Sequence, residues 1–179
     1  MVYVFLADGF EEIEALSVVD ILRRAEIPTK TVGLQDVTVR GAHGITVMAD
    51  TDITAPIKRD ITAAVLPGGM PGTLNLSKSE KLKDILMYSA DNDIILAAIC
   101  AAPSVLGSLG LLRGKCATCY PGFQNYLISA DYKEIPVCVD GNILTAYGPA
   151  AAVDFALELV RLIRGDITAD KINEDMRCY

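Results

Sequence analysis

An apolar run from Ile94 to Ile99 ends at Cys100, and a helical pattern follows it. The run is typical of a strand buried on both faces. Pro103 suits the first turn of a helix, where its missing N–H has no partner to lose. The sequence therefore predicts Cys100 on a sharp strand-to-helix turn, where unpaired N–H groups and the helix dipole favour the thiolate. Such a turn is the cysteine counterpart of the nucleophile elbow of serine hydrolases. The alternative is a core thiol, because free cysteine is among the most buried residue types.

Two further segments carry groups that could assist a thiolate. A helical pattern opens with Glu11, Glu12 and Glu14, which the helix dipole favours as ordinary first-turn charges. The turn from Gly68 to Gly72 has two interpretations, a tight turn that needs positive φ and a close approach of backbone N–H groups to an oxyanion. It is not a dinucleotide fingerprint, because no G-x-G-x-x-G follows the first strand.

The remaining cysteines do not form a ligand set. Cys116 and Cys119 make a C-x-x-C, but the segment reads as a strand, in which positions three apart face opposite sides. No second pair stands at ligand spacing, so we expect no metal and no other cofactor. Cys138 and Cys178 read as a core thiol and a tail thiol.

Strand patterns alternate with helical ones along residues 1–179, which predicts a single α/β domain with a mostly parallel, flavodoxin-like sheet. His43 lies in a small hairpin between Val37 and Asp50, with Gly41 and Gly44 as turn residues. The predicted strands are Val2–Leu6, Thr29–Gly33, Ala63–Leu66, Ile94–Ile99, Lys115–Cys119 and the hairpin Val137–Asp140 with Ile143–Ala146. The predicted helices run from about Glu11 to Ala25, from Ser79 to Ala90, from Pro103 to Leu109 and from Ala151 to Arg164, and a short one follows Thr168.

Composition narrows the function further. The net charge of −7 argues against a nucleic-acid partner, which requires a basic face. No apolar run reaches the roughly 18 residues of a membrane span, and the first residues lack the basic region of a signal peptide. Five cysteines in a chain with a sizeable core suggest reduced thiols, so we expect a cytoplasmic protein.

Three segments, ADGFEEIEA, LPGGMPG and AAICAAPSVL, stand in this order and together resemble the ThiJ/PfpI superfamily, with the Parkinson-disease-associated protein deglycase branch nearest. The likeness runs from Val2 to about Arg164. It implies a flavodoxin-like three-layer sandwich of the class I glutamine-amidotransferase-like kind, usually a homodimer. Arg24 and His43 stand at positions that in the family lie near the dimer interface.

The resemblance also implies roles for individual residues. Cys100 corresponds to the reactive elbow cysteine, and Glu14 to a protonated glutamate that hydrogen-bonds its sulfur. The backbone N–H groups of Gly69 and Ala101 resemble an oxyanion hole, and Gly68 lines the same turn. Many members carry a histidine where this chain has Tyr120, so a Cys–His pair at that position cannot exist within one subunit.

These roles predict an enzyme of the glyoxalase or deglycase type that attacks methylglyoxal or a related small aldehyde through the Cys100 thiolate. One alternative is a redox-sensing or chaperone-like stress protein that uses oxidation of Cys100. Another is an intracellular cysteine peptidase or a related hydrolase. Tyr120 argues against the peptidase, because a phenol is a poor base at neutral pH and amide hydrolysis needs a group that both takes and returns a proton. His43 from a partner subunit is the one route around that objection.

Overall fold

Seven strands form one central sheet that runs through the whole molecule. The structure is a computed structural model and describes residues 1–178. Within that range the strands are β1 (Val2–Leu6), β2 (Thr29–Gly33), β3 (Thr38–Arg40), β4 (Thr46–Met48), β5 (Thr51–Asp52), β6 (Ala63–Leu66), β7 (Ile95–Ile99), β8 (Cys116–Ala117), β9 (Asp131–Tyr132), β10 (Val137–Asp140) and β11 (Ile143–Ala146). The helices are α1 (Glu12–Arg24), α2 (Gly72–Lys78), α3 (Glu80–Asp91), α4 (Pro103–Ser108), α5 (Ala152–Arg164) and α6 (Asp166–Asp175).

The sheet has the order β10-β11-β7-β6-β1-β2-β5, and every pairing in it is parallel except that of β10 with β11. The core strands β2-β1-β6-β7-β11 therefore have the flavodoxin order, which confirms the predicted fold class. In such a sheet the strand order reverses beside β1, and ligand sites form beyond the carboxyl ends of the strands there.

Both faces of the sheet are buried, which makes the molecule a three-layer sandwich. Along β1 the side chains alternate: Val4 and Leu6 pack into the core beneath α1 and α5, while Tyr3 and Phe5 pack into the core on the opposite face. This double burial explains why the central strands read as continuous apolar runs. Within residues 1–178, no helix combines the length and apolarity required to cross a membrane.

The sequence was wrong about the stretch from Lys115 to Cys119. Only Cys116 and Ala117 form a strand there, and it pairs with β9 in a separate two-stranded sheet. Side chains of the β10–β11 hairpin accept the N–H groups that would otherwise bond a neighbouring strand of the central sheet. Cys116 N–H donates to the Asp140 carboxylate, and Thr118 N–H donates to the Thr145 hydroxyl. Tyr120 therefore follows a small lateral sheet and not a fourth strand of the central one.

Three short elements were not predicted, namely α2, β5 and β9. Helix α2 begins directly after the glycine turn, with Pro71 at a cap position that provides no side-chain acceptor, so no sequence signal marks its start. Strand β5 extends the sheet by only two residues. The other elements match the sequence patterns closely, including Ser79, whose hydroxyl accepts from Leu82 N–H at the start of α3.

Candidate active site

Cys100 is the first residue after β7 and lies on a strained turn. Its φ of +65° is in the left-handed region, which side chains larger than hydrogen rarely adopt. Cys100 N–H donates to Ala146 C=O at 2.8 Å, and its own carbonyl accepts from Tyr120 N–H at the same distance. These two bonds hold the turn between β11 and the segment after β8, so the half-buried thiol projects beyond the end of the sheet.

Glu14 approaches the thiol from the first turn of α1. Its side chain is fully buried, and Oε2 accepts a hydrogen bond of 2.7 Å from Gly68 N–H. Oε1 is buried too and accepts no hydrogen bond within the protein. The carboxyl group lies within hydrogen-bonding reach of the Cys100 thiol. An oxygen without a donor suits a protonated carboxyl group, whose O–H can donate to sulfur.

The turn after β6 brings these two side chains together because it is made of glycine. A Cβ on Gly68 would lie 2.6 Å from Cys100 Cβ and 2.8 Å from Glu14 Oε2. A Cβ on Gly69, where φ is +89°, would lie 2.4 Å from Glu11 N. The turn is therefore both a positive-φ turn and a place of close approach, as the two interpretations of the sequence allow.

Two backbone donors converge on the thiol. The N–H groups of Gly69 and Ala101 both lie close enough to the Cys100 sulfur to favour its charged form. They come from different turns, one after β6 and one after β7, which are neighbouring parallel strands. The structure thus brings together Cys100, Glu14, Gly68, Gly69 and Ala101, five of the residues that the sequence proposes for the site.

The pKa of Cys100 differs from the sequence-based prediction, which expected a favoured thiolate. Burial, and next the neighbouring Glu14 carboxylate, raise the pKa of Cys100 to about 12. A six-residue helix after the elbow does not outweigh that burial. Burial likewise raises the pKa of Glu14 to about 7, and this direction agrees with the sequence-based prediction. The two groups therefore titrate as a pair that carries one shared proton at neutral to alkaline pH.

Tyr120 and His43 take different positions around this centre. Tyr120 lies beside the elbow through its backbone bond to Cys100, and its ring packs against Gly148. His43 contacts the other side of α1, where its Nδ1 lies 3.0 Å from Glu12 Oε2 and 3.5 Å from Glu11 Oε2. The hydrogen bond to Glu12 and the charges of both glutamates raise the pKa of His43.

Sequence reasoning missed Glu12, which fastens the β3–β4 hairpin to α1. Its Oε1 accepts from His43 N–H at 2.8 Å and from Ile45 N–H at 3.3 Å. Burial pushes the pKa of Glu12 upward, but the hydrogen bonds from the His43 side chain and the backbone outweigh it, so the pKa is lowered. The sequence shows Glu12 only as a first-turn charge, since its partners lie about thirty positions away along the chain.

Among the residues that the structure describes, Glu11, Glu12 and His43 form a group whose metal-ligating atoms lie within 4.8 Å of one another. Both oxygens of Glu12 already accept hydrogen bonds, two of them from the backbone. The group therefore fastens the hairpin to α1, and its use of both Glu12 oxygens argues against a metal centre.

A family model described as "DJ-1/PfpI family" matches residues 1–162, which include the whole of this site. The chain belongs to the DJ-1/PfpI family. Its fold agrees with that of "Toxoplasma gondii DJ-1, oxidized", with a TM-score of 0.95 at 35% identity over 99% of this chain and 98% of that one.

Curated members of the DJ-1/PfpI family have a comparable sequence identity to this chain. The Parkinson disease protein 7 homolog of Danio rerio is 33% identical over 94% of this chain and 92% of its own length. A deglycase of Pyrococcus abyssi is 30% identical over 91% of this chain and 99% of its own length. The chain spans only 37% and 44% of the length of two Arabidopsis thaliana DJ-1 homologs, B and A, each 35% identical to it. The family resemblance found in the sequence is thus confirmed.

Proposed function

We propose that this DJ-1/PfpI family member converts methylglyoxal or a related small aldehyde by a cofactor-independent, glyoxalase- or deglycase-type reaction at Cys100. The observation that carries the proposal is the buried Glu14 carboxyl group beside the thiol, with a pKa of about 7. A group that titrates near the operating pH is suited to both accept and return a proton. The name of the Pyrococcus abyssi relative, a deglycase, is consistent with this chemistry.

The Glu14 carboxylate can accept the proton of the Cys100 thiol, so the thiol can react despite its high pKa. As the Cys100 sulfur adds to the aldehyde carbon, the thiol proton passes to Glu14, so a free thiolate is not needed beforehand. The aldehyde oxygen gains negative charge during addition and is stabilised by the N–H groups of Gly69 and Ala101. The product of this step is a hemithioacetal on Cys100.

Glu14 then returns this proton to the adduct oxygen, which completes the hemithioacetal and leaves a carboxylate that can accept the next proton. For methylglyoxal, Glu14 moves a proton from the aldehyde carbon to the neighbouring carbon through an enediol, which turns the hemithioacetal into a thioester. Water hydrolyses the thioester to lactate and restores the thiol. One water is consumed per aldehyde, and no external oxidant or reductant is required.

The test is formation of lactate from methylglyoxal, which distinguishes turnover from simple trapping of the aldehyde by lysine and arginine. We expect Cys100→Ser to reduce the rate by about 10³-fold or more, since it removes the nucleophile. Cys178→Ser, which alters a thiol in the C-terminal tail, should match the wild-type chain. Lactate formation that persists in Cys100→Ser would contradict the proposal.

A second candidate is redox sensing at the same residue, which the two N–H donors and the Glu14 carboxyl favour because all three can hydrogen-bond the oxygens of a sulfinate. The solved Toxoplasma gondii relative is described as oxidised. Limiting peroxide should then give sulfinate at Cys100 before any other cysteine, as read by peptide mass spectrometry. Sulfinate at Cys119 or Cys178 first would contradict it.

A peptidase function is the weakest of the three. Tyr120 lies beside the elbow and offers no base, and His43 has Glu12 and Glu11 as partners in its own subunit. We expect no cleavage of casein or fluorogenic peptides. Cleavage that survives purification and is lost in both Cys100→Ser and His43→Ala would reverse this ranking and assign the base to His43.

We further propose that the chain acts as a homodimer in the cytoplasm. Large apolar side chains are exposed on α1 and on the hairpin that Glu12 ties to it, namely Ile13, Leu16, Ile45 and Met48, with Met48 80% exposed. Burial of such a surface in a second copy is the usual reason for its presence. Light scattering should give twice the chain mass, and a monomer mass would contradict the proposal.

A further inference from the structure

Two cysteines outside the candidate active site lie on neighbouring segments, one in β8 and one in β10. Cys116, in β8, is partly exposed, and Cys138, in the edge strand β10, is buried. Their thiols lie close enough to interact with each other. The C-x-x-C of the sequence is therefore not the relevant pair, because Cys119 is 1% exposed and packs in the hydrophobic core.

Two hydrogen bonds hold the two cysteines in this arrangement. Cys116 N–H donates to Asp140 Oδ2 at 2.8 Å, and Asp140 belongs to the same strand as Cys138. Thr118 N–H donates to the Thr145 hydroxyl, and Thr145 is the register partner of Cys138 in β11. The β8 segment is thus bonded to the β10–β11 hairpin on both sides of the thiol pair.

Charged groups of both signs lie near the pair. Burial, the neighbouring Cys116 and the carboxylates of Asp140 and Asp131 raise the pKa of Cys138 to about 12. The Lys133 ammonium lies close enough to both thiols to interact with their charged forms. The nucleophile in thiol oxidation is the thiolate, and the raised pKa of Cys138 keeps that residue in its thiol form. Cys116 is the thiol that a small oxidant can reach, whereas Cys138 is shielded and positioned as its partner.

We propose that Cys116 and Cys138 form a second redox site, at which a hydroperoxide converts the two thiols to a reversible disulfide. The Cys116 thiolate attacks the peroxide oxygen, which gives a sulfenic acid and releases the alcohol, or water when the oxidant is hydrogen peroxide. The Cys138 thiol then attacks the Cys116 sulfur, the S–S bond forms and water leaves. The two thiols lose two electrons, and the peroxide gains them.

The disulfide closes a loop around the segment that carries Tyr120. That segment leaves β8 after Ala117, passes the elbow, where Tyr120 N–H holds the Cys100 carbonyl, and returns at β10. A cross-link at its base restricts the unfolded chain and ties the lateral sheet to the edge of the central one. The site therefore differs in product and in consequence from Cys100, which has a carboxyl and no second thiol beside it.

The experiment is a non-reducing peptide map of the full chain after one equivalent of hydrogen peroxide, followed by alkylation under denaturing conditions. The Cys100→Ser chain serves here, so that the elbow thiol does not consume the oxidant. Trypsin cuts after Lys133 and separates Cys116 from Cys138 unless the two are linked. We expect the linked peptide as the main product and its loss on treatment with dithiothreitol.

Two variants sharpen the result. Cys119→Ala should form the same disulfide to the same extent, whereas Cys138→Ala should leave Cys116 as a sulfenic acid that dimedone traps. Oxidation should also raise the thermal midpoint by roughly 5 °C or more relative to the reduced chain. Full recovery of Cys116 and Cys138 as alkylated thiols after the peroxide is consumed would overturn the proposal, as would a bond from Cys116 to Cys119.

Discussion

Glu12 and Glu14 stand two positions apart in the first turn of α1, and 4% and 0% of their surfaces are exposed to solvent. Their pKa values nevertheless move in opposite directions, downward for Glu12 and upward to about 7 for Glu14. Glu14 lies deeper in the protein, so burial raises its pKa more, and the donors around the two carboxyl groups also differ. Glu12 accepts from two backbone N–H groups and a histidine ring, whereas one oxygen of Glu14 has no donor at all.

The comparison shows that burial alone does not decide the charge of a carboxyl group. A buried carboxylate surrounded by donors remains ionised and is a structural anchor. A buried carboxyl group with a free oxygen holds its proton to higher pH, and it can move that proton when a thiol stands beside it. One helix turn thus holds a glutamate of each kind, facing different partners.

The largest effect should come from Glu14→Gln, which keeps the shape of the side chain but cannot take a proton. We expect lactate formation from methylglyoxal to fall by roughly 10³-fold, within the usual range for loss of a general acid–base group. Glu12→Gln is the matched control and should retain activity to within about fivefold of wild type. A Glu14→Gln rate within tenfold of wild type would remove Glu14 from the chemistry.

The second effect concerns stability and pH. The pKa of Glu14 is about 7 in the folded chain against an ordinary value of 4.5, so the folded state binds this proton more tightly than the unfolded state. Its contribution to stability is complete below pH 4.5 and is lost as pH rises through 7. Relative to Glu14→Gln, the wild-type chain should lose up to about 3 kcal/mol of unfolding free energy across that window. Urea titrations from pH 4 to pH 8 measure it, and parallel curves for the two chains would contradict it.

A smaller effect is expected for the stability of Glu12→Gln. The amide keeps one acceptor oxygen but loses the charge that strengthens the bonds from His43 and Ile45, so we expect a loss of about 2 kcal/mol at pH 7. Hydrogen exchange should rise first in β3 and β4, because Glu12 holds that hairpin to α1. If the loss is instead spread evenly over the sheet, Glu12 does not act locally.

The smallest effect should come from His43→Ala, since 67% of the His43 side chain is exposed. Glu12 raises the pKa of His43, so the pair contributes stability below the ordinary His pKa and loses it as pH rises through the raised value. The thermal midpoint of His43→Ala should therefore differ from wild type more at pH 6 than at pH 9. An equal or reversed difference would show that His43 acts only through its backbone N–H.

The sequence predicts the part of the site that lies within single segments. The elbow at Cys100 follows from an apolar run, a cysteine and a proline, and the glycine turn follows from composition alone. Glu14 became a candidate through the family resemblance, because its own position shows nothing beyond a first-turn charge. The sheet order follows from the alternation of strands and helices together with that resemblance.

What the sequence could not provide are contacts between distant segments and their electrostatic outcome. The thiolate expected at Cys100 assumed that the helix N-terminus dominates, but burial and Glu14 outweigh it and raise the pKa of the thiol. The Glu12–His43 contact and the Cys116–Cys138 pair join positions that no spacing rule connects. The lateral position of β8 depends on Asp140 and Thr145, whose side chains replace ladder partners.

The positive φ of Cys100 has a consequence for how this protein should be engineered. Glycine adopts that backbone conformation freely, whereas a residue with a Cβ gives up roughly 1 kcal/mol to occupy it. A library screened only for heat resistance or yield would therefore enrich glycine at position 100 and discard the thiol. The most stable variant from such a screen would lack the Cys100 thiol, so selection for this protein must also include an assay of its cysteine chemistry.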